Sequence, residues 1–475
     1  MYFLLATAAL IVGYILYGTF VDKVFGADAN RPTPAKTKAD GVDYVEMHPA
    51  KLWLIQLLNI AGVGPVFGPI MGALYGPAAL LWIVIGSIFA GAVHDYLAGM
   101  LSVRYGGANV PDIVGYNLGN IAKQIMRVFA VLLLVLVGVV FATAPAGLLA
   151  KLTPESMGFW FWLPIIFLYY FLATIVPIDK LIGRIYPLFG ALLLIMAVGV
   201  TIMLFVKDSG SFYQWAEWTN QHPKQLPLWP LMFITIACGA LSGFHATQSP
   251  LMARCMGNEK LGRSVFYGAM IAEGFIGLVW ATVGMSFYNS PEALQAAGVP
   301  ANVVYESSLA LLGPIGGVLA ILGVIVLPIT SGDTAFRAAR LTIADMIGME
   351  QRQPVKRLTL AVPLFAIGIV LSQIDFNIIW RYFGWSNQTL AAIALWAGAA
   401  YLYRRNLLHW IATVPATFIT AASVTYICYE PTMGFGIGID TSYVIGVAVA
   451  VVCLAAFLIL GRKPVEGVPA EYANA

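Results

Sequence analysis

Charge is scarce in this chain. Only 10% of its 475 residues are Asp, Glu, Lys or Arg, against about 25% in a soluble domain. That shortage excludes an ordinary soluble protein. The net charge of +3 carries no nucleic-acid signal, because it is small and the basic residues sit in short stretches between apolar runs. Cysteine is scarcer still. Cys238, Cys255, Cys428 and Cys453 lie far apart and none forms a C-x-x-C pair, so neither a disulfide framework nor a cysteine zinc site is signalled. They read as small core residues. Phosphate-binding loops, zinc-protease and serine-hydrolase motifs are absent from the sequence as well. No ATP-driven mechanism and no cofactor is implied.

What fills the chain is apolar sequence. Hydrophobic residues make up 60% of it and the mean hydropathy is +0.82, which defines an all-α integral membrane protein. Thirteen transmembrane segments are expected, at 2–20, 51–74, 77–103, 125–149, 159–177, 185–206, 227–253, 263–288, 308–335, 357–375, 379–403, 407–428 and 441–461. The first lacks the basic start and small-residue cleavage site of a signal peptide, so it counts as a span. Of the 26 Lys and Arg, 22 fall after odd-numbered segments or in the tail and four after even-numbered ones. Positive charge collects on the cytoplasmic side. The expected topology is therefore a cell (inner) membrane protein with its N-terminus outside and its C-terminus cytoplasmic.

Two segments are interrupted where hydrocarbon should be. One carries Asn59-Ile-Ala-Gly-Val-Gly-Pro-Val-Phe-Gly-Pro69, and the other carries Cys238-Gly-Ala-Leu-Ser-Gly-Phe-His-Ala-Thr-Gln-Ser-Pro250. Proline removes an amide donor and glycine weakens a helix. In lipid, such a break survives only when it is buried in protein or faces water. A proline-kinked packing helix is the plain reading of either one alone. Two breaks at matching positions in two halves instead mark a transporter's midplane site. Segments two to six and seven to eleven form five-helix halves; an odd number gives them opposite orientations, as an inverted repeat requires. The expected units are 1–50 (first helix and loop), 51–206 (first repeat), 227–403 (second repeat) and 404–475 (two accessory helices and tail).

Polar side chains at membrane depth supply the candidate site. Asn59, Gly62 and Gly64 at the first break, Gly239, Ser242, Gly243, His245 and Gln248 at the second, and Ser386, Asn387 and Gln388 in segment eleven are expected to line the substrate path. His94, Asp95 and Glu273 are expected to carry protons, histidine titrating near physiological pH. His94 and Asp95 are adjacent, and adjacent helical positions point about 100° apart, so a direct pair between them is not expected. Convergence of His94, Asp95 and His245 on a metal is open. Thr330 and Ser331 offer the hard oxygens a small cation such as sodium needs, with Asp333 beside them. Asp333, Arg337 and Arg340 share one helix face, which reads as an ion-paired helix end.

Five of these stretches together are distinctive: Asn59–Pro69, Gly91-Ala-Val-His-Asp, Ser242-Gly-Phe-His-Ala, Pro328-Ile-Thr-Ser-Gly-Asp-Thr-Ala-Phe-Arg and Phe383-Gly-Trp-Ser-Asn-Gln. The chain resembles the carbon starvation (CstA) family from its first to about its eleventh segment. It departs from that pattern at His94, where a glutamine is expected, and in a shorter C-terminal part. The resemblance implies the five-plus-five LeuT-type core of amino acid–polyamine–cation transporters. It also implies proton-coupled import of pyruvate or uptake of peptides. A small-carboxylate importer is the leading expectation, since half-helix N-termini present amides and positive dipole ends to a carboxylate. A peptide importer comes second. A nutrient sensor or an intramembrane enzyme is remote, because neither a signalling domain nor a nucleophile–base constellation is evident.

Overall fold

A computed structural model describes every residue except 1, 42–43, 176–177, 208–217, 352, 466–468 and 470–475, and no side chain of 175 or 178–187. The last two residues of the expected segment 159–177 and most of the tail lie outside the described residues. The rest is helical, with no strand among the described residues.

A helix, or a pair of helices across a break, lies on each expected segment. They are α1 (Tyr2–Phe25), α2 (Pro49–Ile60), α3 (Gly64–Gly72), α4 (Ala78–Arg104), α5 (Asn120–Leu152), α6 (Phe159–Ile175), α7 (Ile178–Lys207), α8 (Leu228–Thr235), α9 (Phe244–Ala253), α10 (Glu259–Phe287), α11 (Pro300–Ile347), α12 (Pro354–Leu371), α13 (Phe376–Arg404), α14 (Trp410–Tyr429) and α15 (Ile439–Leu460). Among the described residues, nine helices are long and apolar enough to cross a membrane, and the bent pair α2–α3 makes a tenth. The segments at 159–177, 227–253 and 379–403 fall outside that group. The helix on the first is apolar but short. The second is cut into two short helices and the third carries Ser386-Asn-Gln388 in its interior.

Both breaks form where the residues demand them. α2 stops at Ile60; Gly64-Pro65 then opens α3, proline occupying a first-turn position whose amide has no partner anyway. The two halves meet at 49°. In the second break α8 ends at Thr235 and Gly239 takes a φ of +85°, a left-handed conformation glycine adopts without a side-chain clash. The two breaks lie against each other: a side chain at Gly64 would bring its Cβ within 2.2 Å of Cys238 Cβ.

Burial separates a centre from a rim. The most apolar stretch of α10 is 83% buried and that of α4 is 78%, against 17% in α15 and 22% in α12. With lipid as solvent, an exposed apolar rim is the expected state. α4 and α10 each also carry one wide π-turn, at Ser87–Gly91 ahead of Asp95 and at Arg263–Tyr267 ahead of Glu273. Such turns insert an extra residue and re-aim the side chains that follow.

The two ends of the bundle differ. At one end Arg104 donates from Nε and Nη2 to the buried Glu259 carboxylate at 2.7 and 2.9 Å. The amide of Asp28 also donates to it. Nearby, Arg254 donates to the Gly107 carbonyl and to Asn109, and Asn109 donates to Asp345. The bidentate Arg104–Glu259 pair is strong and ties α4 to the start of α10. Arg254 and Asn109 link the end of α9 to the loop after α4 and to α11. At the opposite end a cavity of about 600 Å³ opens between α3, α13 and α14, with His222, Lys224, Arg381 and Glu430 on its wall and Trp380 at its edge.

Candidate functional site

The second break gathers the ionisable residues. His245 stands in the first turn of α9, Asp95 on α4 and Glu273 on α10, and all three are fully buried. His245 Nδ1 lies 2.8 Å from Asp95 Oδ2, and His94 Nδ1 lies 2.8 Å from Asp95 Oδ1. Asp95 is thus clamped between two imidazoles. The direct His94–Asp95 pair corrects the expectation from helical spacing. The angle between Cα–Cβ vectors does not limit two side chains that lean toward the same preceding turn, and one carboxylate oxygen stays within reach of the neighbouring ring.

An ionised carboxylate only accepts hydrogen bonds. With Asp95 ionised, both rings would donate to it from Nδ1, which leaves each Nε2 facing away from that carboxylate. His245 Nε2 then faces Glu273 Oε2 at 3.2 Å. The two atoms are close enough for an ion pair but misaligned for a hydrogen bond, and neither has another hydrogen-bond partner. Glu273 uses its other oxygen, Oε1, to accept the Gly239 amide at 3.1 Å. The Gly239 carbonyl accepts from Ser87 on the π-turn at 2.9 Å. The break is thus tied to α10 through its amide and to α4 through its carbonyl.

Residues of α13 complete the support. Asn387 Oδ1 accepts the Phe244 amide at 2.7 Å and its Nδ2 donates to Ser242 at 3.1 Å. Gln388 donates to the carbonyls of Leu241 and Phe233 at 3.0 and 3.3 Å. These two side chains satisfy the backbone that the break frees. Gly243 fits because the α13 backbone runs against it: a Cβ there would sit 2.2 Å from the Asn387 carbonyl oxygen. Gln248 donates to Thr247, and Ser386 is buried with no partner for its hydroxyl.

The first break is neutral by comparison. Thr330 and Ser331 on α11 each donate to the Leu58 carbonyl at 3.1 Å and to Leu327 at 2.8 and 3.1 Å. Four oxygens therefore meet at the end of α2. Asn59 is buried there, and Gly62 abuts the Phe141 ring. Asp333 accepts from Tyr169 at 3.2 Å while Arg337 donates to the Ala173 carbonyl, so both bond to α6. Trp380, Phe383, Phe141 and Phe244 stand ring to ring, at 5.3, 6.4 and 5.8 Å, between the cavity edge and His245.

Sequence reasoning missed Ser87, Tyr170 and the place of Cys238. Ser87 sits between glycines in Gly86-Ser-Ile-Phe-Ala-Gly91, a signal readable as a site of close approach. Tyr170 donates to the carbonyls of Phe141 and Pro328, bonds that only folding shows. The Cys238 thiol lies with the His245 ring and the Glu273 carboxylate in one group whose donor atoms are all within 4.8 Å of one another.

Buried ionisable residues at a break between half-helices, inside an all-α bundle, define the class: a multi-pass membrane transporter. Among solved structures, the chain resembles MhsT in complex with L-phenylalanine, with a TM-score of 0.57 and 13% identity over 88% of this chain and 99% of that one. It also resembles the Eremococcus coleocola manganese transporter bound to an aromatic bis-isothiourea compound, with a TM-score of 0.56 and 14% identity over 89% and 98%. These likenesses establish the LeuT-type fold. The family model for carbon starvation protein CstA matches residues 1–161, 155–311 and 293–426, and the chain belongs to that family. An uncharacterized membrane protein of Haemophilus influenzae is 49% identical over 62% of this chain and 94% of its own length. The peptide transporter CstA of Escherichia coli is 26% identical over 87% of this chain and 78% of its own. The pyruvate/proton symporter BtsT of the same organism is 26% identical over 58% and 47%.

Proposed function

We propose that this protein imports a small carboxylate, pyruvate first, together with a proton. One observation carries the reading: His245 Nε2 and Glu273 Oε2 face each other across a buried gap of 3.2 Å. A lone pair and a carboxylate oxygen at that distance repel unless a positive charge sits between them. A proton is the smallest such charge. Burying an uncompensated charge costs several kcal/mol, so proton occupancy biases the balance between conformations. Asp95 and His94 complete the relay, and the N-termini of α3 and α9 place their positive dipole ends at the two breaks. The site residues expected at the breaks act here as the lining and its support. One monocarboxylate anion with one proton crosses without net charge.

The inverted five-helix repeats, the outside N-terminus and the placement in the inner membrane belong to this reading. The 22-to-4 split of basic residues supports the orientation, and it sets the 600 Å³ cavity on the outer side. That cavity carries Lys224 and an Arg381–Glu430 ion pair at 2.9 Å, which favours a second reading, uptake of a short peptide whose charged ends would meet these groups. Sodium at the four oxygens beside Leu58 is the alternative coupling ion.

The test is uptake of radiolabelled pyruvate by proteoliposomes, with and without an inward proton gradient, competed by di- and tripeptides. Gradient-driven accumulation that peptides do not inhibit is expected. Peptide accumulation without pyruvate uptake would overturn the substrate. Accumulation that follows sodium and ignores the proton gradient would overturn the coupling.

A further inference from the structure

The gap between His245 and Glu273 has a third wall. Cys238 Sγ belongs to the same group, all three donor atoms lying within 4.8 Å of one another. Its thiol is unbridged and buried. We infer that these three residues form a binding site for a zinc-type divalent cation, with Sγ of Cys238, Nε2 of His245 and Oε2 of Glu273 as ligands.

Four observations converge on that cation. The donor set of one thiol, one imidazole and one carboxylate suits a borderline-soft ion rather than magnesium or calcium, which take oxygen ligands. The spacing fits: nitrogen and oxygen ligands about 2.0–2.2 Å from a tetrahedral metal sit roughly 3.3–3.5 Å apart, and the gap here is 3.2 Å. Two of the ligand atoms are unspent, since His245 Nε2 and Glu273 Oε2 are buried without a hydrogen-bond partner. The third, Cys238 Sγ, makes only long contacts, to Ser242 Oγ at 3.4 Å and from Asn387 Nδ2 at 3.8 Å. The outer shell is already built. A metal-binding histidine usually donates its other ring N–H to a carboxylate, which fixes the tautomer and orients the ring. His245 Nδ1 lies 2.8 Å from Asp95 Oδ2, and Gly239 holds the other oxygen of Glu273.

Three protein ligands leave a fourth tetrahedral position for water or a carboxylate. Cys238 must draw in to complete the set, and it belongs to the break rather than to a helix, so the backbone there is not fixed by a helical ladder. Metal binding displaces the thiol proton, which leaves to solvent, and needs no oxidant or reductant. The site shares His245 and Glu273 with the proton gap. A bound divalent ion therefore excludes the proton, and zinc is expected to inhibit uptake; that consequence alone rests on the transport reading.

Cobalt titration of the purified full-length protein in detergent tests the site directly, because a cobalt–thiolate bond gives a sulfur-to-metal charge-transfer band in the near ultraviolet. One equivalent of cobalt should produce the band, and zinc should abolish it. The band should persist when Cys255, Cys428 and Cys453 are all replaced by serine, and should vanish in Cys238→Ser. If Cys238→Ser fails to fold, Asp95→Asn serves instead: the band should remain while cobalt affinity falls about 10–100-fold. No band in the wild type, or a band that survives Cys238→Ser, would overturn the site. A band obtained together with uptake that zinc leaves untouched would keep the metal site and sink the proton-gap reading.

Discussion

The two broken helices solve one backbone problem with opposite chemistry. At the α2–α3 break, freed carbonyls meet the hydroxyls of Thr330 and Ser331. At the α8–α9 break, the freed amide and carbonyl of Gly239 meet Glu273 and Ser87, and an imidazole–carboxylate chain runs through the middle. At the first break hydroxyls meet the freed carbonyl, and the nearby Asp333 bonds to Tyr169 of α6 instead. The second presents four titratable side chains within hydrogen-bonding or ion-pair reach. A break can be satisfied by hydroxyls alone, so the ionisable chain at the second is not needed to hold the backbone. Its cost to folding calls for a function.

Substitutions at matching places should separate the two. The largest effect is expected from Asp95→Ala, which leaves two buried imidazoles without their shared acceptor. Loss of one partner from a buried pair costs about 3–5 kcal/mol, and proton-driven uptake should fall to background. Thr330→Val at the first break removes one donor from a carbonyl that keeps another, from Ser331, for about 0.5–1.5 kcal/mol. Thermal melts in detergent beside proteoliposome uptake read both. An equal loss of proton dependence in the two variants would move coupling to the first break.

Glycines sharpen the same contrast. Gly243→Ala drives a Cβ to 2.2 Å from a backbone oxygen of α13, whereas Gly62→Ala meets the Phe141 ring at the same distance. A ring can turn and a helix backbone cannot. The expected cost is about 1–3 kcal/mol at Gly243 and less at Gly62, measured as the shift in melting temperature. Asn387→Ala comes next. It removes the acceptor of the Phe244 amide, and loss of such a cap costs about 0.5–2 kcal/mol.

The smallest effect lies outside the membrane. Burial and the neighbouring Lys224 push His222 down from 6.5 to about 4. The folded protein therefore binds its proton less readily than the unfolded chain does. The contribution of neutral His222 to stability is present above pH 6.5 and is lost as the pH falls toward 4. His222→Asn, which keeps a side chain able to accept the Lys224 amide, should melt with a weaker pH dependence across that window. An unchanged pH profile would show that His222 is not the group responsible.

Much of this contrast is written in the chain. Gly-Pro clusters inside apolar runs marked both breaks, because lipid leaves no other place for such residues. Histidine and carboxylates in apolar surroundings marked the site for the same reason. Which atoms meet was not legible. His94 pairs with its own neighbour because side-chain lean, rather than helical angle, sets that contact. Asn387 and Gln388 read as substrate ligands, yet in the fold their amides hold the backbone of the second break. Cys238 read as a small apolar residue and is buried like one; its sulfur faces His245 only because Gly64 lets the two breaks close on each other. Contacts between segments more than a hundred residues apart leave no periodicity to read.

The central claim is that the gap between His245 and Glu273 carries the coupling proton. It is tested most directly by a pH-sensitive dye trapped in proteoliposomes while pyruvate is added outside. Wild-type protein should acidify the lumen as pyruvate enters. Glu273→Gln should still exchange labelled pyruvate across the membrane without acidifying it. Equal acidification by Glu273→Gln, or pyruvate accumulation by the wild type with no proton movement, would contradict the account.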